Sequence, residues 1–170
     1  FDAYLNNGSA LKLKGIVSTI LLSFSAIFIG WFIKWIPDFN ILELISVTIL
    51  LAHNSLVKHV KDVGDGLTQS LSAGRKAVAC IVGRETKDLD VSNVSRAAVE
   101  SAAENFSDAV IAPAFWYVIF GLPGLILYKM TNTADSMVGY RTKKYLQYGF
   151  GAAKLDDLLN LIPSRICGTL

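Results

Sequence analysis

The chain has 170 residues, enough for one domain with a real core, and a formal net charge of +2, too small to argue for nucleic acid. It is 52% hydrophobic with a mean hydropathy of +0.44, and only 18% of its residues are charged, against roughly 25% in soluble domains, which points to a membrane. Cys80 and Cys167 lie far apart and form no CxxC, so neither a disulfide framework nor a zinc site can be built from them.

The first residue is Phe1 rather than Met, with no charged, signal-like start, and the expectation is a trimmed or fragmentary chain. Residues 15–33, GIVSTILLSFSAIFIGWFI, then run without a charge. About 20 helical residues cross the hydrocarbon core, so this stretch is expected to span it. Trp31 and Trp35 mark one end, where indole rings favour the interface. Pro37–Asp38–Phe39–Asn40 signals a turn, and residues 39–57 make a weaker second span, with Glu43 near its start and His53 and Asn54 near its end. Two helices joined by so short a loop predict a hairpin.

Lys12 and Lys14 precede the first span, and Lys58, Lys61, Arg75, Lys76, Arg84, Lys87 and Arg96 follow the second. The positive-inside rule therefore places the N-terminus and residues 58–108 in the cytoplasm. Val60, Val63, Leu67, Leu71, Ala77, Val78, Ile81 and Val82 recur at helical spacing, interrupted by Gly64, Gly66 and Gly74, which predicts one or two amphipathic helices. GRETKDLDVSN is a polar loop, with Gly83 as helix stop and Ser92 or Asn93 as cap of the next helix, 94–108.

Residues 109–128, AVIAPAFWYVIFGLPGLILY, are apolar but broken by Pro113, Gly121, Pro123 and Gly124. A full crossing would put Lys129, Arg141, Lys143, Lys144 and Lys154 outside, against the charge rule, so a re-entrant excursion is expected. No strand pattern or repeat is present. The expected fold is an all-α, polytopic integral membrane protein: one helical domain over 1–170, with spans at about 15–35 and 39–57, a cytoplasm-facing part over 58–108, the broken segment over 109–128 and a polar cytoplasm-facing part over 129–170. The expected location is the cell inner membrane, crossed more than once, with the active site facing the cytoplasm.

Within the stretch RAAVESAAENFSDAV, Arg96, Glu100, Glu104 and Asp108 advance by four and share one helix face. The plainer reading is a solvated face with an ordinary i,i+4 pair. Small residues on the other faces (Ala97, Ala98, Ser101, Ala102, Ala103 and Ser107) favour close packing and predict that the helix is enclosed, with Asn105 beside the acids. Enclosed carboxylates call for a cation, and Mg²⁺ takes oxygen donors, one or two from protein and the rest from water and phosphate.

Two more polar clusters follow: Asn132, Asp135, Ser136, Tyr140 and Arg141, then Asp156, Asp157, Asn160 and Arg165. With Arg84, Lys143 and Lys144 they predict a cytoplasm-facing pocket whose acidic and basic walls suit a metal–phosphate substrate, although each residue alone reads equally well as a structural salt bridge. There is no GxSxG, P-loop or HExxH. His53 and His59 lie on different faces, and His53 reads as a packing residue.

Taken in order, VGRETKDLD, RAAVESAAENFSDAVIAPAFW, GLPGLILYKMTNTADSMVGYRTKKY and FGAAKLDDLLNLIPSR resemble the CobD/CbiB family of cobalamin biosynthesis, the adenosylcobinamide-phosphate synthases, from about Val82 to Arg165. The resemblance implies a membrane carbon–nitrogen ligase that uses ATP and Mg²⁺ to join adenosylcobyric acid to aminopropanol or its phosphate. Its expected partners are the corrinoid, the amino alcohol and lipid, with no nucleic acid, and with association into homo-oligomers. Under that reading Glu100, Glu104, Asp108 and Asp135 are catalytic candidates, and Glu104, Asp108, Asp156 and Asp157 are metal candidates. Arg84, Thr86, Arg96, Asn105, Asn132, Ser136, Tyr140, Arg141, Asn160 and Arg165 would hold phosphate or corrinoid side groups.

The family's GRDT reads Gly83–Arg84–Glu85–Thr86 here, and Ala109 follows Asp108 where Gly is common. The family's HPV-bearing start and the Ser-Pro-Asn motif of its C-terminal part have no counterpart in these 170 residues. Two other readings compete: a non-catalytic membrane sensor like the AmpE-type proteins, and a small transporter with an acidic pathway.

Overall fold

The computed structural model describes residues 5–38, 40–51, 53–83, 85–140 and 142–169, with the backbone alone for 53–56. The expected Arg84 and Arg141 contacts, and the packing role of the His53 side chain, lie outside the described residues. Those described are mostly helical, with no strand among them. The helices are α1 (Leu11–Trp35), α2 (Ile41–Leu50), α3 (His53–Gln69), α4 (Leu71–Ala79), α5 (Val91–Phe106), a π-helical turn (Ser107–Ile111), α6 (Ala112–Phe120), α7 (Leu122–Val138), α8 (Phe150–Asn160) and α9 (Pro163–Cys167). Where one domain was expected, the chain divides into two compact units: Phe1–Leu51 with Ile111–Leu170, and Ala52–Val110.

The first unit is built on α1. Among the described residues it is the one helix long and apolar enough to cross a membrane, and only 17% of its most apolar window is buried within the protein. Leu21, Phe24, Phe28, Trp31 and Phe32 stand exposed, while Gly15, Ala26 and Gly30 face the unit's interior. The expected second span is not one helix. Asp38 accepts from the backbone N–H of Asn40 at 3.1 Å and of Leu42 at 2.7 Å, which starts α2, and α2 ends at Leu50. Ten residues rise about 15 Å, half of a hydrocarbon core of about 30 Å, so α2 does not cross by itself.

The long partner of α1 is α7 rather than α2. Ala26 packs with Leu122, Leu125 and Ile126, and Val47 and Leu50 of α2 close over the same cluster. Gly30 lies so close to Pro123 that a Cβ there would meet the Pro123 Cα at 2.5 Å. At the other end Ser18, Thr19 and Leu22 share a groove with Ala134, Met137 and Val138, so α1 and α7 run antiparallel.

The break in the third apolar stretch falls at Gly121. Its φ of 66° is a left-handed value that costs glycine little, and it ends α6 and opens α7. Trp116 backs on Gly124, and Ala112 packs on Tyr128 with Leu159. Each pair straddles Gly121, so the chain doubles back there. Helix α8 then runs antiparallel to α7, with Asp156 beside Asn132 and Asn160 beside Tyr128.

The second unit packs α3, α4 and α5 around Val63, Val78, Val94, Ala97 and Ala98. The break between the first two helices falls at Ser70, whose hydroxyl accepts from the Ala73 N–H at 3.1 Å, and not at a glycine. Gly66 and Gly74 lie inside the helices and let them approach. α4 ends at Ala79, ahead of the expected stop at Gly83. Helix α5 begins earlier than expected because Asp90, rather than Ser92 or Asn93, caps it, accepting from the Asn93 N–H at 2.7 Å.

Candidate functional site

Helix α5 carries the acidic stripe of the second unit. Val94, Ala97, Ala98 and Ser101 form its buried face, which leaves Arg96, Glu100 and Glu104 exposed. The expected enclosure of Glu100 and Glu104 is thus corrected: the small residues pack inward on one side and turn these carboxylates outward. Arg96 Nε donates to Glu100 Oε1 at 2.9 Å, and the two side chains are 77% and 48% exposed. So solvated a pair is worth only about 0.2–0.5 kcal/mol. Asp108, on the π-helical turn, is half-buried.

A cavity of about 250 Å³ opens beside this stripe, lined by Ile81, Val82, Gly83, Glu100, Ser101 and Glu104, with Ala97 at its back. Ser101 builds the wall: its hydroxyl donates to the Ile81 carbonyl at 2.7 Å, and the Asn105 amide donates back to the Ser101 carbonyl at 2.8 Å and hydroxyl at 3.3 Å. Thr86, nearly buried, donates to the Arg75 carbonyl at 3.2 Å, and Arg75 Nε donates to the Leu89 carbonyl at 2.6 Å. These bonds pin the polar loop to α4. Thr86 is therefore a loop anchor with its hydroxyl already committed.

In the first unit a polar chain crosses from α7 to α8. Tyr128 donates to Asn160 Oδ1 at 2.9 Å, Asn160 Nδ2 donates to Asp156 Oδ2 at 3.0 Å, and Asn132 Nδ2 donates to Asp156 Oδ1 at 3.4 Å. Burial raises the Asp156 pKa; the two amides oppose that shift and the Asp157 charge adds to it. Burial also raises the pKa of Asp135, with the charges of Asp156 and Asp157 acting in the same direction. Asp157 itself is exposed and accepts from Lys154 Nζ at 2.8 Å. Ser136 and Arg165 are exposed, and the Arg165 guanidinium turns back onto the Leu161 carbonyl.

A cavity of about 370 Å³ lies against this network, lined by Asp135, Gly139, Tyr140, Tyr145, Phe150 and Asp157 among others. The expected Asp135, Tyr140 and Asp157 thus meet at one cavity, while Asn132, Asp156 and Asn160 stand behind it in the hydrogen-bonded chain. Tyr145, Phe150 and Lys154 line it too and were not among the expected site residues. A signal for two of them was present: Phe150, Lys154 and Asp157 sit at i, i+4 and i+7, one face of a helix.

Among the described residues no group of three or more His, Cys, Asp or Glu is placed to hold a metal ion. A closed protein cage would need such a group, whereas a Mg²⁺ that brings water and phosphate oxygens needs only one or two protein carboxylates. Glu104 is exposed and Asp108 half-buried, four residues further along the chain. Asp156 accepts two amides and Asp157 a lysine.

The CobD/Cbib protein model matches residues 1–170, the whole chain. The chain belongs to the CobD/Cbib family. It is 48% identical to the cobalamin biosynthesis protein CobD of Sinorhizobium fredii over 98% of this chain and 54% of that relative. It is 46% identical to the protein of the same name from Rhizobium meliloti, over 99% of this chain and 55% of the relative. A probable cobalamin biosynthesis protein CobD of Pyrococcus furiosus is 44% identical over 91% and 54%. The chain thus spans about half the length of the curated relatives it matches. No solved structure matches it significantly. Membership of CobD/Cbib extends over the α1–α2 region, beyond the Val82–Arg165 stretch whose motifs carried the resemblance.

Proposed function

We propose that this chain forms part of an ATP-dependent ligase that joins adenosylcobyric acid to aminopropanol or aminopropanol phosphate in cobalamin biosynthesis. The observation that carries this reading is the family match over all 170 residues, to relatives named for cobalamin biosynthesis. In this reaction ATP phosphorylates the corrinoid carboxylate to an acyl phosphate and leaves as ADP. The amine then attacks the acyl carbon, the carbon–oxygen bond to phosphate breaks, phosphate takes the electron pair and the nitrogen loses its proton. Positioning and charge compensation supply most of such catalysis.

The residues support that division of labour. Glu104 and Asp108 would hold Mg²⁺, which when bound would offset phosphate charge. Arg96, held by Glu100, would offer its guanidinium to phosphate, as would Arg84, Arg141 and Arg165. Asn105 and Thr86 would shape the cavity wall beside Glu104. Asp135 is the proton acceptor of choice, because its raised pKa brings it nearer to the working range of a base. Asn132 and Asn160 would fix Asp156 behind it, and Ser136 and Tyr140 would flank it.

A membrane setting, with the site on the cytoplasmic side of the inner membrane, is supported by the length and apolarity of α1 and by the distribution of Lys and Arg. The test is an assay of the full-length natural protein with adenosylcobyric acid, aminopropanol or its phosphate, and Mg-ATP, read by mass spectrometry. The amide product is expected; its absence with both amines would count against the ligase.

A further inference from the structure

The cavity between the end of α7 and α8 has an unusual wall for a phosphate site. It holds about 370 Å³ and presents the carboxylates of Asp135 and Asp157, the latter already paired with Lys154, beside the rings of Tyr140, Tyr145 and Phe150. Two of those rings already carry ammonium groups. Lys12 Nζ sits 4.0 Å from the centroid of Phe150, and Lys144 Nζ sits 4.5 Å from that of Tyr145. Aromatic faces attract cations through their quadrupole, and an alkylammonium can use them while a small divalent ion needs oxygen donors.

Asp135 is half-buried, and no hydrogen-bond donor or basic side chain meets its carboxylate among the described residues. Its position depends on Gly139: a Cβ there would overlap Asp135 Oδ1, so the missing side chain is what lets the carboxylate lie over the end of α7. The charges that act on it are those of Asp156 and Asp157, both negative.

We propose that this cavity binds a small primary alkylammonium, its charged head against Asp135 and its short carbon chain among Tyr140, Tyr145 and Phe150. Its purpose, though not its geometry, rests on the amide-forming reading, in which it receives the amine.

Calorimetry on the full-length protein in lipid nanodiscs tests it, with 1-amino-2-propanol hydrochloride as probe, 1,2-propanediol as the uncharged control of the same size, and MgCl₂ as competitor. The amine is expected to bind saturably and the diol at least tenfold more weakly. Asp135→Asn should weaken the amine at least tenfold, and Gly139→Ala should do the same while keeping the charge. Exposed Tyr140→Ala, which leaves the fold intact, should weaken it severalfold, so the proposal stays testable if the other two variants fail to fold. Equal binding of the diol, no binding of the amine, or amine binding indifferent to these folded variants would overturn it. So would MgCl₂ that displaces the amine and itself loses affinity in Asp135→Asn, which would make this a metal site. Amine binding without any amide product would sink the ligase reading alone; product formation without amine binding here would sink this inference alone.

Discussion

Asn132 of α7 and Asn160 of α8 both donate to Asp156 of α8, at 3.4 and 3.0 Å, so the carboxylate ties α7 to α8 through the Asn132 amide, while Asn160, which itself accepts from Tyr128 of α7, braces it from within α8. No basic side chain shares that carboxylate among the hydrogen bonds and ion pairs of the described residues. The arrangement holds a charge in place without neutralising it.

Asp156→Ala should therefore cost stability twice over, by losing the link and by leaving two amides unmet. An orphaned buried polar group costs about 1–3 kcal/mol. A lower melting temperature in detergent is expected, with Asp156→Asn falling between the wild type and Ala. A melting temperature unchanged in Asp156→Ala would show that the link contributes nothing.

The raised pKa values of Asp135 and Asp156 carry a sign. Each group holds its proton more tightly in the fold than in the unfolded chain, whose carboxylates keep the ordinary value of 3.8. The native state then binds more protons, so stability falls as pH rises through the raised values and is greatest below the ordinary one. Asp135→Asn removes its share of that slope. Unfolding midpoints measured from about pH 4 to about pH 7 should decline less in the variant than in the wild type. An equal decline would place the proton uptake elsewhere.

Gly30 meets Pro123 with no room for a side chain. Gly30→Val should force α1 and α7 apart and cost about 1–3 kcal/mol, as overpacking does. Resistance to unfolding by a denaturing detergent would measure it. Leu21→Val, on the exposed side of α1, should be nearly silent in the same experiment.

The Arg96–Glu100 pair separates structure from chemistry. Because it is so exposed, Glu100→Gln should change stability by no more than about 0.5 kcal/mol. A loss of turnover well beyond that would give the pair a substrate to bind. Glu104→Gln should lower turnover by about a hundredfold or more, as removal of a group that meets charge at the reacting centre does, while circular dichroism stays unchanged. Retained turnover would remove Glu104 from the mechanism.

Tyr117 on α6 donates to Glu43 on α2 at 3.0 Å, in otherwise apolar surroundings. Tyr117→Phe should destabilise by about 1.5–3 kcal/mol, the range for hydrogen bonds to charged groups. Thermal unfolding of the variant checks this, and an unchanged midpoint would make the bond dispensable.

Much of this protein is determined by local sequence. An uncharged run from Gly15 to Ile33 can satisfy its backbone only as a helix and has nowhere polar to go, so α1 is legible from its residues alone. Gly121 between Pro113 and Pro123 likewise marks where the apolar stretch breaks, because only glycine takes that φ without cost. The ordered motifs from Val82 to Arg165 carry the family. Tertiary structure decided the rest. Spacing by four shows that Glu100 and Glu104 share a face, but not which face is buried; Val94, Ala97, Ala98 and Ser101 won the interior because Val63 and Val78 offered them a core. Periodicity could not end α2 at Leu50, nor bring Asp135 to the same cavity as Tyr145 and Phe150, because burial and cavity walls depend on which helices meet, and chain-distant contacts leave no period in the sequence.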